Sequence, residues 1–347
     1  MTDPKPRRTK VTLQDVADAA GVSKATASLA LRNHARISAP TRARVRDAVE
    51  SLGYVYNQRA ASLRTRRSYT IGLILKDVSN PFNAELTSGA ESELAGEGYS
   101  LLLGTTDDDM DKQSRMITTM LEGDVDGLIL STAAGTVLDS LRKWSQFCPV
   151  VLLNQYYEEL AVDCVGMDDE TGTERAIEHL IQQGHRRIAF VGGYNSALTR
   201  QRRLRSYSDI LLKHNIECDP ALDITSPVTR RGGFDAIHQL LSIKSPPSAA
   251  YCYSDVIAFG VMLGLRAAGR EAGQNFAVIG FDDVPEASLW HPSLTTVSAD
   301  PRGLGENAAQ LMLRRITAPD APIGRIIMPS HLVLRDSTTA LVGAGPN

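Results

Sequence analysis

The sequence has no run approaching the ~18 consecutive apolar residues of a membrane-spanning helix, which excludes a helical membrane anchor. Its basic start, MTDPKPRRTK, has no apolar stretch behind it, so no secretory leader is expected and the chain is assigned to the cytoplasm. Only four cysteines occur (Cys148, Cys164, Cys218 and Cys252), far apart and without CxxC spacing. They read as reduced thiols, not as a disulfide frame or a zinc site. The seven histidines form no HxxxH or HExxH pair, and no GxSxG nucleophile elbow is present, so no catalytic apparatus, metal or cofactor is expected. Two tempting patterns fail on context. GLGENA (303–308) fits GxGxxA, but Pro301 and Arg302 separate it from the strand-like LTTVSAD, and the acid at the right distance, Asp320, lies in a Pro-rich loop. TDDDMD (106–111) lacks the glycine and distal glutamate of a calcium loop and is expected to lead into a helix N-terminus, which favours negative charge.

What is present is a division of charge. The chain has 347 residues, 43% of them hydrophobic, enough for two or three folded units with a substantial core. Residues 1–68 hold fourteen Lys/Arg against five Asp/Glu, a net of +9, so the remainder carries −12 of the overall −3. A small basic head on a larger acidic body points to a polyanionic partner for the head alone.

Within that head, Thr12 can cap a helix with Asp15 three residues on, and Leu13, Val16, Ala17 and Ala20 form one apolar face. Gly21 breaks the helix, Ser23 can cap the next, and Ala27, Ala30 and Leu31 can face inward. A third helix follows Ser38 or Thr41 with Val45, Ala48, Val49 and Leu52 inward, and Gly53 ends it. The result is a helix-turn-helix unit. The first turn of a recognition helix meets base edges in the major groove. Lys24 can donate to guanine, Ala25 can touch a thymine methyl, and Thr26 and Ser28 can reach base or phosphate. Arg42, Arg44 and Arg46 suit phosphate anchoring.

VTLQDVADAAGVSKATASLALRN, with ISAPTRARVRDAVESLGYVYNQRAASLR, resembles the headpiece and hinge of the lactose-repressor (LacI/GalR) family of bacterial transcription regulators. The likeness runs from about Lys10 to Arg64 and continues more loosely to HLVLRDST. Many members have Val and Arg where this chain has Ala27 and Leu29, and Asn where it has Arg32. Leu29 cannot donate a hydrogen bond, so any base contact made by an arginine there is lost and the operator differs from that of better-known members. The resemblance implies that residues 57–68, NQRAASLRTRRS, form a hinge that becomes helical on operator DNA. Asn57 could cap that helix, and Leu63 falls where the family inserts a leucine into the minor groove. The residues expected at the DNA are therefore Thr12, Ser23, Lys24, Ala25, Thr26, Ser28, Leu29, Arg42, Asn57 and Leu63.

From Tyr69 on, strand-like runs alternate with helical stretches: YTIGLIL, a helix from about Pro81, YSLLLG, a helix from about Asp111, VDGLIL and PVVLLN. A second half follows with RIAFVGG, a helix through RLRSYSDILLKH, a helix after Arg230, SAAYCYS and FAVIGFDD. Such alternation means parallel sheets, and two halves mean two lobes with a ligand cleft at the carboxyl ends of the strands. Arg203, a fork of donors, and Asp282, a two-oxygen acceptor able to bridge vicinal hydroxyls, are the main candidates for ligand contact. The resemblance adds Phe82, Asn154, Thr199 and Ser254 or Asp255, and names the body a periplasmic-binding-protein-like effector domain. Helix capping is the alternative role for Asp255 or Asp282.

The expected organisation is a small all-α helix-turn-helix headpiece (1–56), a hinge (57–68) and a two-lobed α/β effector and dimerisation domain with parallel sheets (69–340). The function expected is that of a DNA-binding regulator, a repressor by family custom. Its partners would be double-stranded operator DNA and a sugar, sugar phosphate or nucleoside effector. A homodimer is expected. No heptad repeat follows Ser337, which argues against a C-terminal coiled coil, but a tetramer stays open. The rivals are a transport-type sugar-binding protein, which needs export and has no basic head, and an α/β enzyme.

Overall fold

Local hydrogen bonds set the first three helices. The computed structural model describes residues 11–31, 34, 36–54, 67–155, 157 and 159–338. The chain divides into two compact units, Met1–Ser68 and Tyr69–Asn347. In the first, α1 (Leu13–Ala19) begins with a complete capping box: Asp15 N donates to Thr12 Oγ1 at 3.3 Å, and Thr12 N donates to Asp15 Oδ2 at 2.8 Å. Gly21, at φ +64°, makes the turn into α2 (Lys24–Leu31), whose Thr26 N donates to Ser23 Oγ at 3.1 Å. Ser38 caps α3 (Ala39–Leu52), and Gly53 closes it at φ +61°. Val16, Ala17, Ala20, Ala27, Ala30, Val45 and Ala48 make the core, so the helices meet through small side chains. The hinge positions Asn57 and Leu63 lie outside the described residues.

The second unit contains two six-stranded sheets. Strands β1 (Thr70–Leu75), β2 (Ser100–Thr105), β3 (Gly127–Leu130), β4 (Val150–Leu153) and β5 (Asp163–Met167) belong to the first sheet. Strands β6 (Ile188–Val191), β7 (Asp223–Ile224), β8 (Ala249–Cys252), β9 (Ala277–Asp282) and β10 (Thr295–Ser298) belong to the second. The chain then returns to the first sheet with β11 (Arg325–Met328) and to the second with β12 (His331–Val333). The orders are β11-β5-β4-β3-β1-β2 and β12-β10-β9-β8-β6-β7. All pairings are parallel except β10 with β12. Three chain crossovers therefore join the lobes. β1, β3, β4, β6, β8 and β9 are apolar runs buried on both faces, as covered parallel strands require.

The GLGENA segment lies inside a helix, α12 (Pro301–Thr317), which packs against α4 (Pro81–Gly96). A Cβ on Gly305 would stand 2.0 Å from the Leu86 carbonyl oxygen, and one on Gly89 would stand 2.1 Å from that of Arg302. These glycines let two backbones touch. The acidic segment leads into α5 (Met110–Glu122): Asp109 caps it, Lys112 pairs with Asp107 at 2.6 Å and Lys76 with Asp108 at 2.9 Å. No helix among the described residues is long and apolar enough to cross a membrane.

Candidate functional site

On α2, the Ser23 cap aims the first turn outward. Lys24 and Ala25 are exposed, Thr26, Ser28 and Leu29 are half-buried, and Ala27 and Ala30 turn into the core. Thr12 and Ser23 are occupied as caps, although both remain exposed. Arg42 donates through Nε and Nη2 to the Ile37 carbonyl at 3.2 and 2.7 Å, so this guanidinium braces the loop before α3. Arg44 and Arg46 are exposed on the same helix.

In the second unit a cavity of about 320 Å³ opens at the carboxyl ends of both sheets. Phe82, Asn154, Thr199, Arg203, Ser254 and Asp282 all line it. Five come from segments that directly follow β1, β4, β6 and β8 or from the helices those segments start, and Asp282 is the last residue of β9. Asn80 caps α4, accepting from Phe82 N at 3.1 Å, and Ser254 caps α10 (Asp255–Ala267).

Arg203 sits on α8 (Leu198–Lys213), 2% exposed. Its Nε donates to Asp169 Oδ1 at 2.8 Å and its Nη1 to the Tyr253 carbonyl at 2.7 Å. The Phe281 ring lies 3.3 Å from the guanidinium carbon. Nη2 has no hydrogen-bond partner among the described residues. Asp282 is 5% exposed and sits at φ +123°, in the left-handed half of backbone space. Among the described residues it receives only the Asn80 amide, at 3.5 Å, which joins the lobes across the cleft. Burial pushes its carboxyl up to about 7; Arg203 and Asn80 oppose that rise, while Asp169 and Asp77 add to it. Asn154, at φ +56°, has a buried Oδ1 without a partner among the described residues.

Asp255 is placed elsewhere. It does not line the cavity; its carboxylate lies beneath, accepting from Val284 N at 2.9 Å and from the Thr296 hydroxyl. Burial, and then the negative charge of Asp282, raise its pKa well above the ordinary carboxylate value. This residue fixes the loop after β9.

The sequence reading missed Asp169, the first residue of α7 (Asp169–Gln182), 3% exposed. It pairs with Arg203 and, at 3.0 Å, with Arg202, whose Nη2 also donates to the Asn154 carbonyl at 2.8 Å. Its signal in the sequence is VGMDDE, an acid just past a strand whose charged first residue, Asp163, hides it. Asn80 lies in KDVSNPF, the polar segment expected at the cleft after the first strand, and bonds Asp282; Tyr253 holds Arg203 through its carbonyl.

This cleft and headpiece match known proteins along nearly the whole chain. Residues 12–57 match the model of bacterial regulatory proteins of the lacI family, and residues 68–336 that of periplasmic binding proteins and the sugar binding domain of the LacI family. The chain belongs to the lacI family. It is 36% identical to the maltose regulon regulatory protein MalI of Escherichia coli K12, over 93% of this chain and 98% of that one. To the HTH-type transcriptional repressor CytR of the same strain it is 30% identical, covering 97% and 99%. The solved lac repressor dimer bound to operator and the anti-inducer ONPF is 26% identical with a TM-score of 0.83, covering 96% and 100%. As a lacI-family member the chain is a DNA-binding transcriptional repressor with an effector domain of the sugar-binding type, and its relatives are repressors, not enzymes.

Proposed function

We propose that this repressor acts in the cytoplasm as a homodimer on a palindromic operator, and that a sugar or nucleoside held between Arg203 and Asp282 sets its operator affinity. The observation that carries the reading is one cavity, at the carboxyl ends of both sheets, where an open donor and a nearly unpartnered acceptor meet in a chain that also bears a helix-turn-helix. Vicinal hydroxyls would bridge Arg203 Nη2 and Asp282, with Phe82 beneath a sugar or base ring and Asn154, Thr199 and Ser254 completing the polar set. The division into a headpiece (1–56), hinge (57–68) and effector domain (69–340) follows from the same reading.

On the DNA side, Lys24, Ala25, Thr26 and Ser28 read bases, Leu29 contributes apolar contact only, and Thr12, Ser23, Arg42 and Asn57 hold the backbone. Leu63 wedges the central step. Two headpieces are needed, because one buries too little surface for tight, selective binding. Exposed Leu102 and Leu103 on edge strand β2, together with Leu263 and Leu289, supply apolar faces for the second subunit. The lac repressor relative was solved as such a dimer on operator.

The test is footprinting of full-length protein on genomic DNA, followed by salt titration on the recovered sites. An inverted repeat whose affinity falls steeply with salt, by a slope that shrinks by about one when one phosphate-binding cation is removed, is expected. A non-palindromic footprint insensitive to salt contradicts the proposal.

A further inference from the structure

Resting on the reading of this cavity as the effector site, we infer that the effector is an uncharged polyhydroxyl compound: a free sugar or a nucleoside, and not a phosphorylated or carboxylated derivative. Among the described residues, two cations and four carboxylates line the cavity: Lys76 and Arg203 against Asp77, Asp107, Asp108 and Asp282. Both cations are already matched, Lys76 by Asp108 at 2.9 Å and Arg203 by Asp169 at 2.8 Å. Asp77 spends one oxygen on its own loop, accepting from Ser79 N and Asn80 N at 2.9 and 3.0 Å, and Asp282 receives only the Asn80 amide. Among the described residues, neither carboxylate has a cation as a hydrogen-bond partner.

A phosphate monoester carries about −1.5 to −2 charges at pH 7 and offers acceptors only. Placed here its charge would meet Asp77 and Asp282, which accept when ionised, and Asp282 is only 5% exposed, where a further unpaired charge is costly. Hydroxyl groups do the opposite. They donate to Asp282 and accept from Arg203 Nη2. Among the described residues four helix N-termini reach the cavity, and those capped by Asn80, Thr229 and Ser254 already have a side-chain oxygen on their amides. The one left to favour anions is the first turn of α8, whose Ala197 cap supplies no side-chain bond and which brings Leu198 and Thr199 to the cavity. Its partial positive charge, about half a unit, is smaller than the two carboxylates it would have to offset.

The experiment is calorimetric titration of full-length protein at pH 7.5 and constant ionic strength with matched pairs. These are glucose and glucose 6-phosphate, ribose and ribose 5-phosphate, trehalose and trehalose 6-phosphate, and cytidine and its 5′-monophosphate. The expected result is that the pair which binds does so through its neutral member, with the phosphate about a hundredfold weaker. In the Asp77→Asn/Asp282→Asn variant that ratio should shrink at least tenfold, because the repulsion goes while the neutral ligand keeps only an uncharged amide acceptor. A phosphate that binds wild type within about tenfold of its neutral partner, or better, overturns the inference and leaves the cavity's role as effector site standing. Absence of binding by either member of every pair overturns the sugar or nucleoside reading, and this inference with it.

Discussion

In the N-terminal unit, residues three apart hold each other: Thr12 with Asp15, Ser23 with Thr26, Ser38 with Thr41. In the C-terminal unit, the cleft is assembled from Asn80, Asn154, Asp169, Arg203 and Asp282, and the bond across it joins residues 202 positions apart. The first unit is stabilised by short-range caps around alanines, the second by buried charge and close backbone approach. A DNA reader needs an exposed surface on a small rigid frame, whereas an effector site needs groups from two lobes that a ligand can draw together.

The two modes of construction can be separated experimentally, because both tryptophans, Trp144 and Trp290, lie in the second unit and report its unfolding alone. The largest expected effect is at Asp169. Asp169→Ala leaves Arg203, only 2% exposed, without its charge partner, and should lower the stability seen by tryptophan fluorescence by roughly 3–5 kcal/mol. Effector binding should be abolished with it. An unchanged denaturant midpoint would show that Arg203 is solvated some other way.

Next comes Gly305→Ala. The added methyl would meet the Leu86 carbonyl oxygen at 2.0 Å, so α12 and α4 must move apart at a cost of about 1–3 kcal/mol in the same unfolding assay. Loss of effector affinity without loss of stability would instead assign the segment to the ligand.

The legible part of the molecule matches this division. Helix starts at Ser38, Pro81 and Arg230 follow from caps and period, because those signals lie within a few residues of the helix itself. β5 and α7 escaped notice. DCVGM opens on a charged residue, buried because Arg315, 152 residues away, clamps Asp163 at 2.7 and 3.0 Å and Gly324 N donates to it at 2.7 Å. With that strand unseen, Asp169 could not be recognised as the anchor of Arg203. Asp255 and Asp282 illustrate the same limit: one follows a strand and one ends a strand, both in polar motifs, and only the fold puts Asp282 in the cavity and Asp255 under it.

A smaller effect follows from the raised carboxyl of Asp282. The rise to about 7 reflects burial first, with Arg203 and Asn80 opposing it and Asp169 and Asp77 adding to it. A ligand hydroxyl that donates to the ionised form binds that form better. Affinity should therefore be constant above pH ~7 and fall by up to about tenfold per pH unit below it. Calorimetry between pH 5.5 and 8.5 checks the sign; affinity that rises on acidification would mean the ligand accepts from a protonated Asp282.

The smallest change is in the head. Thr12→Ala removes the capping box and should destabilise the headpiece by about 1 kcal/mol. Amide exchange in α1 should quicken while the tryptophan midpoint stays fixed. A shifted midpoint would mean the units do not unfold separately.

The most direct test of the whole account is the operator affinity of full-length protein, measured with and without the sugar or nucleoside that binds its cavity, for wild type and Asp282→Ala. A coupling of ~1–3 kcal/mol, a factor of about 5–150, should alter wild-type affinity, and operator should alter ligand affinity by the same factor. Asp282→Ala should bind operator as ligand-free wild type does and ignore the ligand. Wild-type affinity indifferent to the bound ligand, or a variant that responds in full, would contradict the assignment of this cavity as the control site.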